Sequence, residues 1–319
     1  MVRRLPLVPI VVSVLSLAAV IWWASRQDRP QLPEGRSALL AVLAGIGVSA
    51  LATLARAERW HRVLVHNAVP ARRADSYGLT PVGYMGNNVL PARAGELLRV
   101  FLLAPRVGRS RREVLATIVA ERLLDVVALG LIFMVLAGAV VRSADVPAGG
   151  LVFLAALIAV AIGLAALALS ARLGARLLSE RLHGTLATLT APAKALLSLH
   201  GLRLLVLSAL IWSLEAGVYV AVGQAVGLDL GPIDALYVVA LTNLFALVPA
   251  APGYVGTFDA AVIFAIDTLG AVGATAVSYL LLLRFVLFLP ITIVGLVLLV
   301  ARYGGLAVYR TARLEGLRA

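Results

Sequence analysis

The chain has no cysteine, a single lysine and few charges of either sign. Without cysteine there is no disulfide and no thiol chemistry. The lysine is Lys194, so the formal charge of +12 rests almost wholly on arginine. Charged residues make up 14% of the chain, where a soluble domain carries roughly a quarter. No Walker A loop is present, which excludes ATP hydrolysis by the usual phosphate cradle. Gly45-Ile46-Gly47-Val48-Ser49-Ala50 loosely mimics a dinucleotide fingerprint, but it lies inside an apolar run with no preceding strand. Close helix packing explains it better. The four histidines, His61, His66, His183 and His200, do not pair with acids at metal-ligand spacing. No nucleophile elbow occurs. The expectation is a protein without metal or cofactor, and not an enzyme.

What is present is hydrophobic sequence. It makes up 61% of the chain, and the mean hydropathy is +0.99. Several apolar runs reach the roughly 20 residues that cross a bilayer as a helix. The fold class expected is an all-α polytopic membrane protein. Full spans are predicted at about 5–24, 36–57, 112–141, 149–171, 202–226 and 274–301. The first resembles a signal peptide, but Trp22 and Trp23 stand where small residues would precede cleavage, so an uncleaved span is expected. Two further apolar segments, about 76–104 and 233–270, are interrupted by Pro and Gly. Each reads as a re-entrant helical hairpin, with its turn buried in protein or lining a cavity.

The arginines orient this scheme. With Arg3 and Arg4 inside, the loop carrying Arg59, Arg62, Arg72 and Arg73 is also inside. A first hairpin that opens inward returns Arg106, Arg109, Arg111 and Arg112 to that side. The second hairpin, flanked by Asp229, Asp234 and Asp267, opens outward. Residues 172–200 read as an amphipathic cytoplasmic segment. The whole chain, 1–319, is then one transmembrane domain in a bacterial plasma membrane, with both termini cytoplasmic. The arginine surplus fits loops facing anionic lipid rather than nucleic acid.

The two interrupted segments look like copies of one device. Asn87-Asn88-Val89-Leu90-Pro91-Ala92-Arg93-Ala94-Gly95-Glu96 is followed by an apolar helix carrying Arg122. Asn243, then Pro252-Gly253-Tyr254-Val255-Gly256-Thr257, is followed by an apolar helix carrying Arg284. Both contain Pro-x-x-x-Gly, and the arginines follow the prolines by 31 and 32 residues. Broken helices in corresponding halves point to a transporter's binding site. The halves run over about 76–141 and 233–301 and have opposite topology, which makes an inverted repeat.

Arg122 sits about nine residues into its span and Arg284 about ten, so roughly 14 and 15 Å deep. Ionisable residues at that depth mark function. Arginine offers a planar fork suited to phosphate or carboxylate, and two forks at one depth would clamp an anion. Glu121 and Asp125 are placed to pair with Arg122, and Glu215 lies mid-span, whereas Arg284 has no acid near it in sequence. After Gly95 and Gly256 new half-helices should begin, with free N–H groups that favour phosphate. Thr257 is the expected N-cap of the second. Glu96 should complete a cap or meet Arg93 or Arg99, and Asp259 should face its helix dipole. Asn87, Asn88 and Asn243 either satisfy turn backbone or touch substrate.

At Leu90-Pro91-Ala92-Arg93-Ala94-Gly95-Glu96-Leu97-Leu98-Arg99, then Ala120-Glu121-Arg122-Leu123-Leu124-Asp125, the chain resembles the transmembrane region of lysylphosphatidylglycerol synthases, a flippase-like family. Pro252-Gly253-Tyr254-Val255-Gly256-Thr257-Phe258-Asp259 is similar to that family's later hairpin. The resemblance implies a lipid-translocating domain with two re-entrant elements. In the full synthases it moves aminoacylated phosphatidylglycerol to the outer leaflet, and a downstream soluble domain makes that lipid. Stand-alone relatives are linked to other lipids, including polyprenyl-phosphate sugars. The chain stops at Ala319, so the synthase activity is not carried over.

The function expected is flipping of an anionic, phosphate-bearing lipid by alternating access around an arginine-lined groove. The alternatives are a scaffold that binds lipid or a partner synthase, and a membrane enzyme using Glu96 or Glu121 as base. The partner expected is a membrane lipid. A lipid-synthesising enzyme and a second copy of the chain remain open as further partners.

Overall fold

A computed structural model describes residues 21–22, 25–26, 29–30, 33–90, 93–143, 198–245 and 252–305. Among them are eight α-helices: α1 (Gly35–His66), α2 (Arg73–Val89), α3 (Ala94–Leu103), α4 (Arg111–Ser143), α5 (Leu199–Ala225), α6 (Pro232–Phe245), α7 (Thr257–Asp267) and α8 (Gly273–Tyr303). A 3-10 turn, Pro252–Tyr254, precedes α7. The expected spans over 5–24 and 149–171, and the segment 172–200, lie outside the described residues apart from their edges.

Three helices, α1, α5 and α8, are long and apolar enough to cross a membrane. The protein is a multi-pass membrane protein. Helix α4 is as long, at 33 residues, but Glu113, Glu121, Arg122 and Asp125 interrupt its apolar run. The outside of the bundle is greasy, as lipid solvent requires. On α8, Leu281, Phe285, Leu289, Ile293, Leu296 and Val300 form an exposed stripe at helical spacing.

Each interrupted segment forms two helices that pack against one another. Between α2 and α3 the packing is backbone on backbone. A Cβ on Gly95 would lie 2.5 Å from the Asn87 nitrogen and also strike the Gly83 carbonyl, while one on Gly86 would meet the Gly95 Cα at 2.6 Å. Small residues permit this closeness, as at many membrane helix contacts. Both ends of this pair lie at one end of the molecule. Asp75, in the first turn of α2, is 3.9 Å from Arg106, just past α3, and 3.6 Å from Arg302 in the last turn of α8. Arg109 donates to the Ala68 carbonyl after α1. His66 and His200 stack with ring centroids 4.1 Å apart, so α5 begins at this end too.

Helix α5 then runs to the other end, and six residues connect it to α6. Tyr237 in α6 hydrogen-bonds Thr268 just beyond α7, so the α6–α7 pair opens at that second end. Helix α8 returns to the first end.

The tips of the two pairs meet in the middle. The Arg93 guanidinium lies 5.5 Å over the Tyr254 ring. Asn88 donates to Thr292 Oγ1 at 2.8 Å on α8. Arg93 and Tyr254 both have left-handed backbones, at φ 56 and φ 55. Such a conformation is uncommon outside glycine and disfavours bulky side chains, so each tip is held by its surroundings.

Helix α1 departs from expectation. Its apolar run ends near residue 57, yet the helix continues to His66, about three turns further. Arg59 therefore sits on the helix and not in the basic loop expected. It is fully buried.

Candidate functional site

A cavity of about 900 Å³, counting its open mouth, lies where the tips meet α1, α4, α5 and α8. Arg56, Arg93 and Arg122 line it together with Asp125 and Glu215. The rest of the wall is aromatic and amide, including Tyr84, Trp212, Tyr254, Asn88 and Asn243.

Arg122 reaches the cavity from α4. Its Nε is 3.5 Å from Glu96 and its Nη1 is 3.3 Å from Asp125. These are long contacts for a guanidinium, whose strong bonds to carboxylate run at about 2.7–2.9 Å. About a quarter of the side chain is exposed. Arg122 is thus neutralised without being locked, and its fork faces open space. Arg93, at the first tip, shares Glu96 at 3.4 Å.

Elsewhere around the cavity, in the wall and behind it, the pairing is tight. Arg59 donates to Asp125 and to Ser208 Oγ, both at 2.7 Å. Arg99 donates to Glu121 at 2.7 Å and lies 3.8 Å over the Trp60 ring. Arg56 donates to Glu215 at 2.9 Å, with Trp212 5.1 Å beneath it. Buried charges persist only when paired and hydrogen-bonded; Asp125 and Glu121 each meet two arginines, and Glu215 meets Arg56.

The expected residues therefore sort into different places. Arg93, Arg122, Asp125, Asn88, Asn243 and Glu215 line the cavity. Glu96 stands directly behind Arg93 and Arg122. Glu121 meets Arg99 and Arg59 and not its neighbour Arg122. Asn87 and Gly95 lie in the α2–α3 contact, where Asn87 is buried.

Arg284 does not occupy the position expected of it. It pairs with Asp259 and donates to the Gly253 carbonyl at 3.3 Å. Its guanidinium rests against Phe258 and Phe288, and those two rings are what line the cavity. The acid that sequence distance hid is supplied by the turn, which folds Asp259 back onto α8. Asp259 also accepts the Gly256 N–H at 2.9 Å, at the start of α7. Gly256, at φ 90, is the N-cap, and Thr257 is the first helical residue, donating instead to the Tyr254 carbonyl. The helix start at Gly256 is thus already met by a carboxylate.

Sequence spacing missed two arginines of this region: Arg56, which lines the cavity, and Arg59, which braces Asp125. Their signal was present: Arg56, Arg59, Trp60 and Val63 fall on one face of a helix, and all are buried.

The family model for the lysylphosphatidylglycerol synthase transmembrane region matches residues 7–295. The chain belongs to this family. The matched stretch contains the whole cavity wall, from Ser49 to Ile291. That family is associated with lipid synthesis and translocation. A comparison with curated proteins finds no match.

Proposed function

We propose that the protein flips an anionic, phosphate-bearing lipid between bilayer leaflets. The observation that carries this reading is the cavity itself: three guanidiniums and two carboxylates line it, inside a bundle whose outer surface is apolar. A site of that kind accommodates a charged headgroup while the tails stay in the bilayer. Charged groups inside a membrane domain face such cavities and mark substrate paths.

The phosphate is bound by Arg122 and Arg93, whose contacts to Glu96 are long, and Arg56 flanks them. Glu96 and Asp125 hold the forks when the site is empty and yield them to phosphate. Arg284 stabilises the second tip and does not touch the headgroup.

The two helix pairs are re-entrant hairpins of an inverted repeat. Their opening towards opposite ends supports this, as does the meeting of their tips at the cavity. Rocking one repeat against the other then exposes the cavity to each leaflet in turn. The end that gathers Arg106, Arg109 and Arg302 is the cytoplasmic one.

The test is lipid scrambling in proteoliposomes carrying a headgroup-labelled anionic phospholipid. Wild-type protein is expected to expose inner-leaflet label to an impermeant quencher. The Arg93→Gln/Arg122→Gln variant should insert normally and expose none. Equal exposure by the variant would refute the binding role. Absence of exposure with wild type would favour a lipid-binding scaffold.

A further inference from the structure

We infer that α8 is a jointed helix. Pro290 divides it, and the α6–α7 hairpin with residues 273–289 of α8 swings as one arm against a frame made of α1–α5 and the end of α8. The inference rests on the proposed flipping and names the parts that move.

The two parts of α8 belong to different neighbours. Past Pro290 the helix is fixed along its length to the first hairpin. A Cβ on Gly295 would strike the Pro81 carbonyl and lie 2.5 Å from the Met85 Cβ, and one on Gly78 would strike the Tyr303 hydroxyl. Arg106 donates to the Arg302 carbonyl at 3.1 Å and lies 4.7 Å over the Tyr303 ring. Leu299 and Tyr303 are buried in one apolar core with Leu79, Val82 and Leu98. Before Pro290 the helix belongs to the second hairpin. Arg284 pairs with Asp259 of α7. Leu280, Leu283 and Val286 are buried in a separate core with Val238 of α6 and Val262 of α7. Asn88 marks the boundary, donating to Thr292 at 2.8 Å on one side of the proline and to the Phe288 carbonyl at 3.4 Å on the other.

Pro290 is the proline inside α8. It offers no N–H to the Val286 carbonyl, and its ring crowds that oxygen. Sharp helix bends arise at such residues. Helices α1, α4 and α5 also run past the cavity, and none contains proline. They are tied to one another at that level by Arg56–Glu215 and by Arg59 with Asp125 and Ser208. Arg99 ties the first hairpin to α4 through Glu121. The second hairpin rests on α5 by apolar packing, with Val238 and Leu241 against Tyr219 and Val222, and by a 3.2 Å contact between the Tyr219 and Thr242 hydroxyls. Apolar packing is non-directional, and helices slide on it in shear motions. The arm joins α5 through residues 226–231, where Gly227 turns at φ 72. It is therefore free to swing at both of its attachments.

The test is a distance measurement between spin labels, which the absence of native cysteine permits. Val272→Cys on the arm is paired with Leu39→Cys on α1, both exposed. Val272 lies about 27 Å along the helix from Pro290, so a bend of about 20° moves it roughly 9 Å. In nanodiscs of phosphatidylcholine with phosphatidylglycerol this pair should show two distances separated by roughly that shift. The pair Val65→Cys and Val300→Cys, both exposed and both in the frame, should show one. Pro290→Ala restores the missing N–H. It should leave one Val272–Leu39 distance and slow lipid scrambling about tenfold, as one added helix hydrogen bond implies. Pro81→Ala makes the same change inside the frame and should scramble at the wild-type rate.

A single Val272–Leu39 distance in wild-type protein, or wild-type scrambling by Pro290→Ala, would overturn the joint and leave the flipping proposal standing. An equal loss in Pro81→Ala, or two distances for Val65–Val300, would also overturn it. Two Val272–Leu39 distances that Pro290→Ala reduces to one, in a wild-type protein that scrambles no lipid, would uphold the joint and overturn flipping.

Discussion

Arg59 and Arg122 hold the same carboxylate, Asp125, from opposite sides, and the account gives them opposite jobs. Replacing each separates the jobs. Arg59 is fully buried, with two 2.7 Å bonds, to Asp125 and Ser208. Removing one partner of such a buried pair costs about 3–5 kcal/mol, because the other is left uncompensated. For a chain of this size that is roughly 4–7 °C in melting temperature. Arg122 is partly exposed, and its contacts are 3.3 and 3.5 Å. A pair so loose and so wetted is worth about 1 kcal/mol or less, which is roughly 2 °C. Arg59→Met should therefore melt early in detergent, while Arg122→Gln should melt close to wild type yet fail in lipid scrambling. The measurement is a thermal unfolding series on both variants with scrambling measured well below the melt. Adding Asp125→Leu to Arg59→Met should recover much of the lost stability, since the stranded carboxylate is removed. Equal melting shifts for the two single variants would refute the division between a structural and a substrate arginine.

Gly95→Ala should destabilise by about 3 kcal/mol or more, because its Cβ would meet α2 backbone that cannot yield without parting the helices. Gly47→Ala meets nothing within 4 Å and is the control, expected near neutral by the same thermal assay. Arg284→Gln strands the buried Asp259 and should lower the melting temperature, yet leave lipid scrambling well below the melt unchanged. The lack of cysteine makes site-specific labelling clean. Arg109→Cys and Val272→Cys, both exposed, should react with an impermeant maleimide from opposite sides of a sealed vesicle. Reaction from one side would exclude the opposed hairpins.

The parts legible in sequence are those that punctuation marks. The helix starts at Ala94 and Thr257 and the place of Arg122 at the cavity follow from Pro, Gly and spacing. The partners do not, since they depend on how helices rotate against each other. Glu121 sits beside Arg122 in sequence, yet it points to Arg99 and Arg59. Arg284 lacks a nearby acid in sequence, yet the turn at Gly256 delivers Asp259 to it. Arg59 read as a loop residue because arginines at the end of an apolar run are ordinarily solvated. Burial against α4 and α5 turned it into a cation of the core.

The pairing also shows why one arginine of each half behaves differently. Both follow a broken segment at nearly the same distance. One is held by long contacts at an open wall, the other by a close pair behind two phenylalanine rings. Equal spacing in sequence left their surroundings to the packing of the tips.

The central claim is that Arg122 and Arg93 receive a lipid phosphate inside the cavity. The most direct measurement is an experimental structure of the protein purified with an anionic phospholipid. The account predicts phosphate density within hydrogen-bonding distance of both guanidiniums, with the tails leaving through the mouth. Headgroup density confined to the outer surface of the bundle, with the cavity holding no phosphate, would contradict it.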